Sequence, residues 1–477
     1  MAGRRQTLPL RNQPRPARHR RARHPNRCSH SRSHGIVRTG RASREHATAL
    51  TPLHGTSPLP QRSSLYSGPR PTNPKSHSDW TTKRVPLTGL TRSGYEFDIP
   101  NLQVLSDPVE ADVFVLCVDS PVGTTTRKAD LSNLKAASES VGRYLRSTNL
   151  VIVRSTVPVG TTRGVVARLL SESSGLVEGD FSLAFAPERT STGMTLRESS
   201  QIPHLVGGRD SLSAERAAEF LQSAGMRSLV MESAEAAELG KLASNAARDT
   251  ALALAAQICA VAELHNLDVE RLVNDVNHDY PRDHIKMPRP GVGGSCLTKD
   301  SYILAESLAS TPLGDTLFGL VRRINDETQA PTIRSLARHF TDHFRREFAP
   351  RILVCGAAFK GDPPTRDTRN AVSLVVAREL MAQEYSVAVF DPFISGEEIS
   401  ELGFEPASIA EMNAPWNGLL LYSNHKFFSD ENVVRKLVQN VCGNGFIYDP
   451  YRWCKPTMDA IRPGTLYRTL STEKILP

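Results

Sequence analysis

Short continuous apolar runs alternate along this chain with stretches in which apolar residues recur every three or four positions. Residues 111–118 form an almost unbroken apolar run stopped by Asp119-Ser-Pro121, the pattern of a strand buried on both faces of a parallel sheet. A shorter strand is predicted at 102–105. Behind Asp130, a predicted cap, Leu131, Leu134, Ala137 and Val141 share one helical face. Strands at 150–153 and 182–185 with a helix over 161–170 between them continue a β-α-β-α-β order, hence a doubly wound α/β sheet. In such sheets ligands sit at the carboxyl ends of the strands, where Ser120, Pro121, Thr156 and Glu188 fall.

Residues 233–266 lack proline and hold one glycine, Gly240. They predict a single helix roughly 50 Å long at 1.5 Å per residue, a length suited to spanning domains or forming a dimer interface. Lys241 and Asn245 lie one turn apart on one face of it. A second helical stretch is predicted over 312–339 and a connection over 339–350. Strands at 351–356, 386–390, 418–422 and 445–448 with a helix over 370–382 predict a second α/β sheet, and past Pro450 the pattern fades. The expected architecture is two Rossmann-like doubly wound sheets joined by a long central helix.

Between these regions Gly291-Val-Gly-Gly-Ser-Cys296 precedes an apolar helix predicted from Tyr302. Gly291, Gly293 and Gly294 let another molecule approach the backbone closely, and Ser295 or Thr298 can cap the helix. A helix N-terminus and the adjacent Lys299 both favour thiolate over thiol. Cys296 is therefore a candidate nucleophile. Against this, an isolated cysteine is more often a small buried hydrophobe, Lys241 alone would be an ordinary solvated side chain, and Arg369 in Arg366-Asp-Thr-Arg369 would be a surface ion pair of small value.

Composition changes the picture at one end. Residues 1–90 hold 18 Lys and Arg against Glu45 and Asp79; of the chain totals of 58 and 50, the remainder keeps 40 basic and 48 acidic side chains, so the body is acidic. Residues 1–88, rich in Arg, Pro, Ser and His and without periodicity, read as disordered. Three origins fit them: a basic nucleic-acid arm, an organelle transit peptide, or residues that are not native coding sequence. Missing interleaved aromatics argue against the first, and many prolines against the second. Seven widely spaced cysteines without a C-x-x-C pair indicate a reducing compartment, so a cytoplasmic location is expected, with no transmembrane helix and no metal. The cluster His278, Asp279, Asp283 and His284 is the one pattern that suggests a metal, and zinc-ligand spacing is absent elsewhere.

Six motifs in order resemble the UDP-glucose/GDP-mannose dehydrogenase family of nucleotide-sugar 6-dehydrogenases. They are Cys117-Val-Asp-Ser-Pro121, Ser155-Thr-Val-Pro-Val-Gly160, Ala186-Pro-Glu-Arg189, the stretch from Ala237 to Asn245, Gly291 to Cys296 with Lys299-Asp300, and Lys360 with Asp367-Thr-Arg369. The resemblance implies NAD-dependent oxidation of a sugar C6 hydroxyl to a carboxylate, with Cys296 as nucleophile and Lys241 and Asn245 stabilising an oxyanion. It also implies that Asp300, Glu188 and Thr156 handle protons, that Ser120, Pro121, Thr156 and Lys299 face NAD, and that Gly293, Lys360 and Arg369 hold the UDP-sugar. Arg282 resembles an arginine supplied across a homodimer interface. The sugar stays open between UDP-glucose and a UDP-N-acetylhexosamine such as UDP-N-acetylmannosamine.

The family opens with a strand, a G-x-G-x-x-G turn and a helix that hold the NAD pyrophosphate. No such turn occurs in this sequence, and residues 1–88 stand in its place. The expected domains are therefore 1–88 without structure, 89–210 as an incomplete NAD-binding unit, 211–340 as a central helical and dimerisation unit, and 341–477 as the UDP-sugar-binding unit. A misassigned start and weak NAD binding follow as expectations, with a catalytically silent nucleotide-sugar-binding protein as the alternative.

Overall fold

The computed structural model describes residues 105–311, 316–344, 349–408 and 415–477. The disorder, nucleic-acid and start-site expectations for 1–88, and all but the last residue of the predicted 102–105 strand, lie outside these residues. So does part of the predicted 339–350 connection.

The first sheet contains β1 (Val113–Leu116), β2 (Leu150–Val153), β3 (Ser182–Phe185), β4 (His204–Gly208) and β5 (Ser228–Val230), adjacent in that order. β1, β2 and β3 are parallel, β4 runs antiparallel to β3, and β5 is parallel to β4. Helices α1 (Ser132–Gly142), α2 (Ala167–Ser174), α3 (Thr195–Glu198) and α4 (Ser211–Ser223) belong to this half. Phe114, Val151, Val153 and Leu183 pack with α1 and α2 on one face; Leu150, Ile152, Ala184 and Val206 pack with α4 on the other. Burial on both faces explains the unbroken apolar runs. Asp130 stands one residue before the N-cap of α1, Leu131, which makes no side-chain cap bond; the Asp130 Oδ1 still accepts from Ser132 N, the first helical residue, at 2.9 Å.

α5 (Ala234–Leu264) is the predicted long helix. Ser233 caps it, accepting from Ala236 N at 3.1 Å, and it ends before Asn266, which takes a left-handed φ of 53°. α6 (Val269–Asn277), α7 (Leu297–Glu306), α8 (Leu317–Asp326) and α9 (Ala330–His343) follow. The single stretch expected over 312–339 is in fact α8 and α9, separated at residues 327–329.

The second sheet comprises β6 (Arg351–Cys355), β7 (Ser386–Phe390), β8 (Glu405–Pro406), β9 (Trp416–Leu421), β10 (Val441–Tyr448), β11 (Leu466–Arg468) and β12 (Glu473–Ile475). α10 (Val372–Ala382), α11 (Gly396–Glu401) and α12 (Glu431–Gln439) cover it. The order is β12-β11-β10-β9-β6-β7-β8, parallel except for β12. The chain steps outward from β6 to β8 and then returns to β9 on the other side of β6, so the strand order reverses there. That reversal opens a crevice at the carboxyl end of β6.

Candidate active site

The site is built around a polar face of α5. Glu238, Lys241, Asn245 and Asp249 recur at three- and four-residue spacing and so lie along one side. Glu238, fully buried, accepts from Gly160 N at 2.5 Å, Thr162 N at 2.8 Å and Thr162 Oγ1 at 2.7 Å. This ties the loop after β2 to α5, although burial still pushes the Glu238 carboxyl above its ordinary pKa.

One turn on, Lys241 Nζ lies 3.4 Å from Asp300 Oδ2, and Asn245 Nδ2 donates to the same oxygen at 2.6 Å. Lys299 Nζ donates to Asp300 Oδ1 at 3.2 Å. Asp300 is fully buried and Lys241 nearly so, so Lys241 is not a solvated surface side chain. Two ammonium groups and an amide satisfy the carboxylate that burial would otherwise penalise.

Cys296 itself occupies the N-cap position of α7, which begins five residues earlier than the predicted Tyr302 start. Its carbonyl accepts from Asp300 N at 3.0 Å while its thiol is exposed. Neither Ser295 nor Thr298 caps the helix; Thr298 Oγ1 donates back to Gly294 O at 2.7 Å. The glycines are needed here, but the close approach comes from this chain's own second sheet. A Cβ on Gly291 would stand 2.7 Å from Val372, one on Gly293 2.6 Å from Asn370 O, and one on Gly294 2.9 Å from the Phe359 ring. Asn370 Nδ2 also donates to Thr298 Oγ1 at 2.9 Å.

Beside this turn lies a cavity of about 770 Å³ lined by Asp119, Ser120 and Pro121 after β1, by Ser295 and Lys299 at α7, and by Arg369. The Ser120 hydroxyl is buried and has no partner. Arg369 is held bidentate by Asp367, Nε to Oδ1 at 2.9 Å and Nη2 to Oδ2 at 2.7 Å. Those bonds raise the pKa of this half-exposed side chain against partial desolvation, with Asp119 and Cys296 also close enough to contribute.

Other predicted residues stand off this cavity. Glu188 is bound by Arg154 at 2.7 Å and by Thr190 N at 2.7 Å. Partial desolvation of this otherwise exposed side chain favours its neutral form, but these bonds and the Arg154 charge prevail and hold it below the ordinary range, ionised. Thr156 is half-buried in the loop after β2, outside the cavity lining. Lys360 Nζ donates to Ser191 Oγ at 2.9 Å; burial, then the nearby Arg289 and Arg248 charges, lower its pKa against the opposing pull of Glu198. Arg282 is exposed between α6 and α7. Among the described residues no group of three His, Cys, Asp or Glu side chains is placed to hold a metal. Nor is any helix there long and apolar enough to cross a membrane.

Three domain models of one family match the chain in order: the NAD binding domain over residues 99–224, the central domain over 235–327 and the UDP binding domain over 353–456. The chain belongs to the UDP-glucose/GDP-mannose dehydrogenase family. Among similar members, the UDP-N-acetyl-D-mannosamine dehydrogenases of Methanocaldococcus jannaschii and Pyrococcus horikoshii are 30% and 33% identical, over 61% and 60% of this chain. The chain spans just under two thirds of their lengths, 65% and 66%. The UDP-N-acetyl-D-glucosamine 6-dehydrogenase of Pseudomonas aeruginosa is 29% identical over 70% of this chain and 79% of its own length. The structure of the Pyrococcus horikoshii UDP-D-ManNAc dehydrogenase superposes with a TM-score of 0.65 at 28% identity, covering 76% of this chain and 82% of that one. The family's central domain contains the polar face of α5 and the thiol turn, and its UDP binding domain contains Lys360 and Arg369.

Proposed function

We propose that this chain is an NAD-dependent nucleotide-sugar 6-dehydrogenase that oxidises a UDP-N-acetylhexosamine of the mannosamine type. The observation that carries this is the exposed Cys296 thiol one helical turn from an Asp300 carboxylate buried among Lys241, Asn245 and Lys299. Names of the relatives favour an N-acetylated sugar over glucose. The unpartnered Ser120 hydroxyl and the cavity lining fit the nicotinamide riboside half of NAD.

Each of two oxidations at C6 would release a hydride, which bound NAD would accept. Between them the Cys296 thiol adds to the C6 aldehyde, giving a thiohemiacetal whose oxidation leaves a thioester. Water cleaves that thioester, releasing the carboxylate and restoring the thiol. Lys241 and Asn245 offer donors to the oxygen at C6 as negative charge develops. Asp300 accepts and returns the proton there, and Glu188, held ionised, with Thr156 orients water. Lys360 and Arg369 hold the UDP-sugar through charge-assisted bonds. Leu254, Val261 and Leu264 are exposed on one face of α5 and support a homodimer through that helix, with Arg282 reaching across. The expected division of labour is an N-terminal cofactor unit, a central catalytic and dimerisation unit, and a C-terminal UDP-sugar unit.

NADH formation with a panel of UDP-N-acetylmannosamine, UDP-N-acetylglucosamine, UDP-glucose and GDP-mannose tests this reading. Turnover greatest with an N-acetylated UDP-sugar and lost in Cys296→Ala supports it. UDP-sugar binding without turnover supports instead the silent nucleotide-sugar-binding protein.

A further inference from the structure

The polar face of α5 continues one turn past Asn245 to a group that the reaction above does not use. Asp249 and Arg322 on α8 are both fully buried. Arg322 Nη1 donates to Asp249 Oδ1 at 2.6 Å, Asn325 Nδ2 donates to the same oxygen at 2.7 Å, and Ser301 Oγ donates to Asp249 Oδ2 at 2.7 Å. Arg322 also pairs with Asp326, which accepts from the Tyr302 hydroxyl at 3.3 Å. Asp300, Ser301 and Tyr302 are thus three consecutive residues of α7, each tied to a neighbouring helix.

Consecutive helical residues project about 100° apart. A helix fixed at Asp300 alone could still turn about that contact; one fixed at Asp300 and Ser301 from α5 and at Tyr302 from α8 cannot. The turn so fixed carries Cys296. Stability does not explain the arrangement, because a buried ion pair is commonly no more stabilising than apolar side chains of similar volume. What the pair supplies is a single geometry.

We propose that Asp249, acting through Ser301 and Arg322, is a positioning residue for the thiol site, fixing the rotation of α7 and hence the placement of Cys296 relative to Asp300. Its catalytic meaning rests on the dehydrogenase reading; its geometric meaning does not. The charged groups around the turn are Lys241 on α5, Lys299 and Asp300 on α7, Arg322 and Asp326 on α8, Asp119 after β1, Arg127 over the Tyr302 ring, and Arg369 in the loop before α10.

The test compares the full chain with Asp249→Asn and Ser301→Ala by three readouts: iodoacetamide labelling of Cys296 against pH, thermal melting, and kinetics. In Asp249→Asn the labelling rate is expected to change by about three-fold or more, because a rotated α7 moves the thiol. kcat is expected to fall about ten-fold or more while KM for the UDP-sugar stays within about two-fold. Ser301→Ala should move labelling the same way by less. A folded Asp249→Asn whose labelling profile superimposes on the wild type, with only its melting temperature lowered, would overturn the proposal. If Asp249→Asn does not fold, Ser301→Ala decides alone, an unchanged profile overturning it. Absence of turnover in the unmodified chain would count against the dehydrogenase reading and leave the labelling comparison to decide the positioning role.

Discussion

The two sheets use the same βα units but provide for a ligand differently. In the first, β1, β2 and β3 step in one direction, and among the described residues β1 pairs only with β2. In the second, β6 has β7 on one side and β9 on the other, so the strand order reverses at β6. There Asp391 Oδ2 accepts from Ala357 N and Ala358 N, and Asn424 Oδ1 accepts from Gly361 N. The first sheet instead borrows its ligand wall from α7 and from Arg369. On the proposed function, nucleotide binding resides in the second half, whereas the chemistry draws on residues of both.

Changes at the seam should separate these capacities most strongly. Cys296→Ala is expected to lower NADH formation by about a thousand-fold or more while UDP affinity, measured by calorimetry, stays unchanged; a parallel loss of UDP binding would break the comparison. Lys241→Met should lower kcat by about a hundred-fold in steady-state assays, again sparing UDP. Lys360→Ala reverses the pattern, weakening UDP about ten-fold in the same calorimetric titration. Gly294→Ala, with a φ of 90° and a Cβ 2.9 Å from Phe359, should cost about 1–3 kcal/mol, read from denaturant unfolding.

The smallest effect is confined to the second sheet. Arg366 and the Ser395 cap hold the Glu398 carboxyl down to about 2 although burial pushes the other way. A depressed carboxyl contributes stability above its unfolded pKa, near 4.5, that is lost as pH falls towards the folded value. Arg366→Ala should remove about 1 kcal/mol at neutral pH and flatten the acid limb of the stability profile between those two pH values.

Strands buried on both faces were legible because their residues, apart from a leading Ser182 and Ser386, are apolar: β2, β3 and β7 coincide with their predicted spans. The segment from β4 to β5 carries no such run. β4 begins with His204 and ends in Gly207 and Gly208, and β5 has only three residues, two of them exposed. α4 did carry a signal, with Asp210 as a cap and Ala214, Ala217, Ala218 and Leu221 at helical spacing. In the site, Lys241, Asn245 and Asp300 could be picked out by motif and lie together. Asp249 continues the same spacing and could have been found; Arg322 could not, since its partner stands 73 residues away. The role of the glycines was legible only in part, because sequence shows where a side chain is missing but not what fills the space.

That filling joins two movements. Val372, Phe359 and Asn370 press against Gly291, Gly293 and Gly294, and Arg369 sits beside Asn370. On the proposed function, a shift of the half that holds the UDP-sugar would carry the sulfur with it, so occupancy of that site and reactivity of the Cys296 thiol are expected to be coupled mechanically.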